Sequence, residues 1–166
     1  MTCTLILTRH AKSSWDNPGL DDHSRPLTKR GRKSAEAIGK WLADRDLAPD
    51  LVLSSSSRRT RETWERMGLK SAEVTFTDGL YHVTANQMLR VLGEASGATV
   101  MMLGHNPGIG EFAEELVSEP PEHPRFFDYP TCATTVMSFD TDDWAKVQWR
   151  SGAVQDFVIP RELLEE

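Results

Sequence analysis

Three short runs, CTLILT (3–8), LVLS (51–54) and TVMMLGH (99–105), are almost wholly apolar and rich in branched side chains. A run that short without alternation reads as a strand buried on both sides, the kind that fills a parallel sheet covered by helices. AEVTFT (72–77) alternates and reads as another strand. Between the strands the period changes to that of a helix. Thr28 opens TKRGRKSAEAIGKWLADRD, where Ala35, Ile38 and Leu42 recur at helical spacing with Trp41 alongside. SRRTRETWERMG is a second helix, with Gly68 as its stop. TANQMLRVLGEA begins with Thr84 and carries Gln87 three residues on, a capping box, and Met88, Leu89 and Leu92 then face the core. PGIGEFAEELV starts a helix with Pro107 near its first turn. TTVMSFD and KVQWRS are expected as two closing strands, a hairpin turning around Asp140–Asp143.

The alternation predicts an α/β fold: one domain over residues 1–166, a three-layer sandwich with a mostly parallel sheet and helices on both faces. The final hairpin requires at least one antiparallel strand. A chain of 166 residues with 39% hydrophobic and 27% charged residues can bury its own core and is not disordered. Its net charge of -6 excludes non-specific nucleic-acid or membrane-surface binding as a function. Any anion it binds must be held by a local cationic pocket working against the global field. Cys3 and Cys132 are too few and too far apart for a disulfide framework, so buried reduced thiols and a cytoplasmic location are expected. No stretch reads as a signal peptide or a membrane span. No His, Cys or carboxylate spacing matches a metal motif, and no cofactor is expected.

In such a sheet, ligands gather at the carboxyl ends of the strands. The first strand ends in Arg9 and His10, the second in SSSSRRTRET, and the fourth in His105. These ends converge on one sheet edge. A pocket with two histidines and two or more arginines suits a phosphoryl group, because guanidinium forks match phosphate oxygens in pairs. A nearby helix N-terminus adds backbone donors.

LTRHAKSSW, RPLTKRGRKSA, LSSSSRRTRET, LYHV and LGHNPG together resemble the histidine phosphatase superfamily, and more narrowly its short SixA-type phosphohistidine phosphatases. The resemblance implies that His10 is the nucleophile and forms a phosphohistidine intermediate. It implies that Arg9 and an arginine of RRTRET hold the phosphoryl oxygens, and that His105 donates to them from the opposite side. The family pattern selects Arg59, with Arg58 the competing choice and Arg61 on the helix surface. Ser13 and Asn106 are candidate substrate ligands. No metal is implied, since the arginines supply the positive charge.

The match departs from the family at several points. Ala11 stands where many members have glycine, and Ser56 replaces a usual proline. LYHVTANQ lacks the glutamate that mutase-like branches use as general acid, and Asp16 is the only acid placed near the Arg-His loop. A site without such an acid favours phosphohistidine, whose imidazole leaves more readily than an alkoxide. The expected substrate is therefore a phosphorylated protein such as a phosphorelay component. The alternatives are a small phosphomonoester, such as a nucleotide or sugar phosphate, and a weakly active phosphate-binding module. His82 is expected at the rim, Trp15 as a possible pocket wall, Arg25 paired with Asp21 or Asp22, and Lys12 as surface charge. His23 and His123 are expected in solvent. Trp41, Trp64, Trp144 and Trp149 are expected in packing. The loop 118–131, with Phe126, Phe127 and Tyr129, is a candidate contact surface.

Overall fold

A computed structural model describes residues 2–164. Its strands are β1 (Cys3–Arg9), β2 (Leu51–Ser55), β3 (Glu73–Thr77), β4 (Thr99–Gly104), β5 (Thr134–Phe139) and β6 (Ala153–Val158). Its α-helices are α1 (Lys29–Ala43), α2 (Arg58–Met67), α3 (Ala85–Gly93), α4 (Gly108–Leu116) and α5 (Pro160–Leu164). The strands form one six-stranded sheet in the order β3-β2-β4-β1-β5-β6. β3, β2, β4 and β1 run parallel, and β5 and β6 are antiparallel to their neighbours. This is the expected mixed α/β sandwich.

Strand alternation splits the core in two. Leu5, Leu7, Val100 and Met102 point to the side covered by α3 and α4. Ile6, Val52, Met101 and Leu103 point to the side covered by α1 and α2. Each central strand feeds both cores, which is why those runs carry no polar face. The predicted caps are in place. Thr28 accepts from Gly31 N, and the Thr84–Gln87 capping box is complete in both directions. Gly68 closes α2 at φ 68°, a conformation that glycine adopts without steric cost. Cys3 and Cys132 are buried free thiols, and burial pushes the Cys132 thiol up to about 12.

The C-terminal reading needs correction. KVQWRS is not a strand. The Trp144 indole donates to Gly97 O at 2.8 Å, and Asp143 caps a short 3-10 turn over Trp144–Lys146. Val147 and Trp149 pack on the core from irregular backbone. Arg150 then reverses the chain with a φ of 62°. The pairing strand is AVQDFV, mostly exposed at the sheet edge, with an irregularity opposite Val136/Met137 that breaks its alternation. The loop 118–131 is also largely not a contact surface. Phe126 and Tyr129 are buried in the core, and only Phe127 is exposed. Tyr129 donates to Leu7 O at 2.7 Å, tying the loop to β1.

Candidate active site

Register builds the site. β1 pairs with β4 so that Arg9 lies opposite Gly104, and the next residues are His10 and His105. His10 N–H donates to Gly104 O, and His10 O accepts from Cys132 N. The two imidazole rings stand 5.2 Å apart. The loop beyond His10 is fixed from three directions. Ala11 N donates to Thr63 Oγ1 on α2, Thr28 N donates to Lys12 O, and Ser14 N donates to Pro26 O. Gly31 lets the first turn of α1 lie directly on this loop, because a Cβ there would overlap the Lys12 carbonyl.

His10 is 6% exposed, and burial, with the charges of Arg9, Arg59 and Arg25, lowers its pKa to about 3 against the pull of a hydrogen bond to Ala11. The ring is therefore neutral at ordinary pH. Its Nδ1 lies 2.7 Å from the Ala11 carbonyl, which can only accept, so Nδ1 carries the proton. Nε2 then keeps its lone pair, and no protein group described here bonds to it. His105 is neutral as well, lowered to about 2 by burial and by neighbouring His10 and Arg59. Arg59 Nη2 approaches its Nδ1 at 3.2 Å, and a guanidinium can only donate. His105 Nε2 accordingly donates to Ser55 Oγ at 2.8 Å.

Arg9 donates to Tyr129 O at 3.1 Å, and Arg59 donates to Asp22 O at 2.7 Å and Asp22 Oδ2 at 3.0 Å. Both arginines nevertheless keep a buried Nε–H with no partner. Burial and then the charge of Arg59 lower the pKa of Arg9. Buried guanidinium groups with unmet donors, set beside each other, call for an anion between them. The surrounding cavity has a volume of about 500 Å³ and is lined by four cations, Arg9, Lys12, Arg25 and Arg59, against one carboxylate, Asp22.

Helix geometry places the two arginines differently. Arg59 is 1% exposed and points inward. Arg58, one residue earlier on α2, is turned about a quarter of a circle round the helix. It lies in solvent, pairs with Glu62 at 3.2 Å, and does not line the cavity. Ser13 and Asn106 do line it, but their polar atoms are engaged. Ser13 Oγ accepts from Arg25 at 2.9 Å. The Asn106 amide donates to Asp128 O and Tyr129 O and accepts from Gly110 N, so it clamps the loop that holds Arg9. Arg25 also pairs with Asp22 and lies 3.6 Å over the ring of exposed Trp15, which forms the rim.

The sequence reading missed Asp22. Asp16 is exposed and outside the cavity; Asp22, from the polar loop before α1, is inside it. Its Oδ2 accepts from Tyr81 at 2.5 Å, His82 at 2.9 Å and Arg59 at 3.0 Å. Partial burial opposes ionisation, but these bonds and the Arg59 charge hold the carboxyl well below the usual range. Because ionised Asp22 takes the proton of His82 Nε2, the 3.2 Å approach of Arg59 to that nitrogen is a contact rather than a hydrogen bond. His23 and His123 are not in solvent. His23 bonds Ser56 Oγ at 2.9 Å and stands edge-on to Tyr81, while His123 pairs with Glu162 at 3.1 Å. The serine run serves this scaffold: Ser55 orients His105, Ser56 bonds Asp78, and Ser57 caps α2.

A neutral buried imidazole beside two incompletely paired guanidinium groups, at the C-terminal edge of a parallel sheet, defines a phosphoryl-transfer site. Comparison with known proteins agrees with that class. Residues 5–88 match the model of the histidine phosphatase superfamily, branch 1. The chain is similar to a structure assigned as the phosphohistidine phosphatase SixA from Nakamurella multipartitia, with 28% identity, a TM-score of 0.83, and coverage of 96% of this chain and 97% of that one. A second, assigned as SixA from Agrobacterium tumefaciens, is 28% identical with a TM-score of 0.76, covering 95% and 98%. An uncharacterised chloroplast protein of Arabidopsis thaliana is 38% identical over 68% of this chain, and the match spans 58% of that protein's length. The chain belongs to the histidine phosphatase superfamily and is of the SixA type. It is accordingly a phosphatase with a phosphorylated substrate. Among the described residues no helix is long and apolar enough to cross a membrane, and no group of three or more His, Cys, Asp or Glu is placed to hold a metal ion.

Proposed function

We propose that this phosphatase hydrolyses phosphohistidine on a protein, by double displacement through His10. The observation that carries this reading is the fixed neutral tautomer of His10 beside Arg9 and Arg59, whose buried Nε donors lack partners. In the first step His10 Nε2 bonds to phosphorus as the P–N bond of the substrate breaks. The departing imidazole nitrogen keeps the bonding pair and takes a proton from solvent. The phosphorylated His10 ring is cationic, and the Ala11 carbonyl accepting from Nδ1–H stabilises it. Arg9 and Arg59 bind the phosphoryl oxygens as charge spreads over them, with His105 facing the same group. In the second step water attacks phosphorus, His10 leaves with its electron pair, and orthophosphate is released.

Asp22 favours this substrate class. An alkoxide leaving group needs a proton donor worth about 10²–10⁴-fold in rate, whereas an imidazole is far less basic. Among the described residues Asp22 is the one carboxyl lining the cavity, and it is held ionised, so it has no proton to supply. A second reading, hydrolysis of a small phosphomonoester, draws on His82, whose ring lines the cavity and is held by Asp22 at 2.9 Å.

The test is phosphate release, with chelator present, from a phosphohistidine peptide and from a panel of phosphomonoesters, for wild type and His10→Ala. Preference for the peptide with a dead variant is the expected result. Hydrolysis of esters alone overturns the phosphohistidine reading but keeps the nucleophile. Absence of His10-dependent release from every substrate leaves a phosphate-binding module.

A further inference from the structure

A second cleft, of about 340 Å³, adjoins the pocket and shares Lys12 and Thr131 with it. Four cations line it, each from a different element: Lys12 after β1, Arg30 in the first turn of α1, Arg125 in the long loop, and Arg161 in α5. Among the described residues no acid lines it, in a chain where 25 Asp and Glu outnumber 19 Lys and Arg. Its remaining lining includes the apolar Ile159 and Pro160. Lys12 and Arg30 are exposed and make no ion pair among the described residues. Arg125 pairs with Asp128 at 2.9 Å, outside the lining. Lys12 and Arg30, facing one concavity, repel each other and focus a positive potential there.

From this we infer that the cleft docks an acidic stretch of the substrate protein, continuous with the phosphorylated histidine. The inference rests on the phosphohistidine-protein reading and specifies its partner. The shared Lys12 and Thr131 mean that a chain with its phosphoryl group at His10 passes straight into the cleft. At about 3.3–3.6 Å per extended residue, the acidic side chains lie within the first few residues beside the phosphohistidine. The apolar lining takes an aliphatic side chain or the stems of the acids. Because the cleft touches no reacting atom, its contacts act on KM and association rather than on kcat.

Two phosphohistidine peptides test this, one with flanking Glu and Asp and one with Gln and Asn in their places, beside inorganic phosphoramidate as a substrate too small to reach the cleft. Wild type is expected to show a KM about two- to fivefold lower for the acidic peptide, the range of an exposed ion pair. Arg30→Glu abolishes that preference and leaves turnover of phosphoramidate unchanged. Raising salt until the Debye length falls below about 8 Å erases it too. Equal KM for the two peptides, or an unchanged preference in Arg30→Glu, overturns the docking cleft while the phosphatase reading stands. A change of oligomeric state in Arg30→Glu with unaltered kinetics overturns it in favour of a self-interface. Failure of wild type to hydrolyse either peptide overturns the phosphohistidine reading, and the cleft's role with it.

Discussion

In the pocket around His10, Arg59 is 1% exposed with an unmet donor; in the adjoining cleft, Arg30 stands in solvent. The two regions carry the same kind of charge and share Lys12. Water separates their roles. Two unit charges 4 Å apart interact by about 4 kcal/mol at an effective dielectric of 20 but only about 1 kcal/mol in bulk water. Buried guanidinium groups can stabilise charge that develops during a reaction, because they are already desolvated and oriented. Solvated ones steer and select partners, and salt weakens them.

The largest effect that sharpens this contrast is loss of the nucleophile. His10→Ala is expected to lower phosphatase activity by about 10⁴-fold or more, measured as phosphate release, with the fold unchanged by circular dichroism. Arg59→Ala follows with a loss of about 10³-fold in kcat, and Arg59→Lys recovers only part of it because an ammonium cannot reproduce the fork. Its neighbour is the control: Arg58→Ala is expected to change kcat/KM by no more than about twofold, as for an exposed pair. A large effect at Arg58 and a small one at Arg59 would break the assignment by burial.

Stability tests the same division. Gly31→Ala forces a methyl group into the Lys12 carbonyl at the seam between the two regions, and a loss of about 1–3 kcal/mol in chemical denaturation is expected. The pH dependence has a definite sign. His10 and His105 fold as neutral groups with pKa values near 3 and 2, against an ordinary 6.5, so the unfolded chain binds more protons as acid is added. Their contribution is complete above pH 6.5 and is lost as pH falls toward 3, while Asp22, also depressed, acts in the same direction. Thermal melts from pH 7 to pH 4 are expected to show falling midpoints. A flat profile would mean that the histidines are not buried and neutral. The smallest effect belongs to salt: raising ionic strength is expected to leave phosphoramidate turnover nearly unchanged while narrowing the peptide preference of the cleft.

The sequence was most legible where local rules and burial agree. The central strands, the Thr84–Gln87 capping box and the Gly68 stop appear where expected, since each depends on residues close in the chain. That Arg9, His10, an arginine of RRTRET and His105 meet in one cavity was readable because strand ends in a parallel sheet share an edge. AVQDFV was not readable, because an exposed edge strand with a bulge has no clean alternation. KVQWRS alternates for a different reason: Val147 and Trp149 reach the core from a turn that the Trp144–Gly97 bond holds in place.

By itself, then, the chain determined the α/β class, the order of most elements and the strand ends that bring two histidines and arginine side chains to one edge. Those features follow from hydrophobic period, capping chemistry and the direction of parallel strands. Only the tertiary structure decided that Arg59 rather than Arg58 faces inward, that Asp22 rather than Asp16 is the acid of the pocket, and which nitrogen of His10 holds its proton. Each of these turns on a contact between residues distant in sequence or on the direction of one side chain, and neither is written in the spacing of residue types.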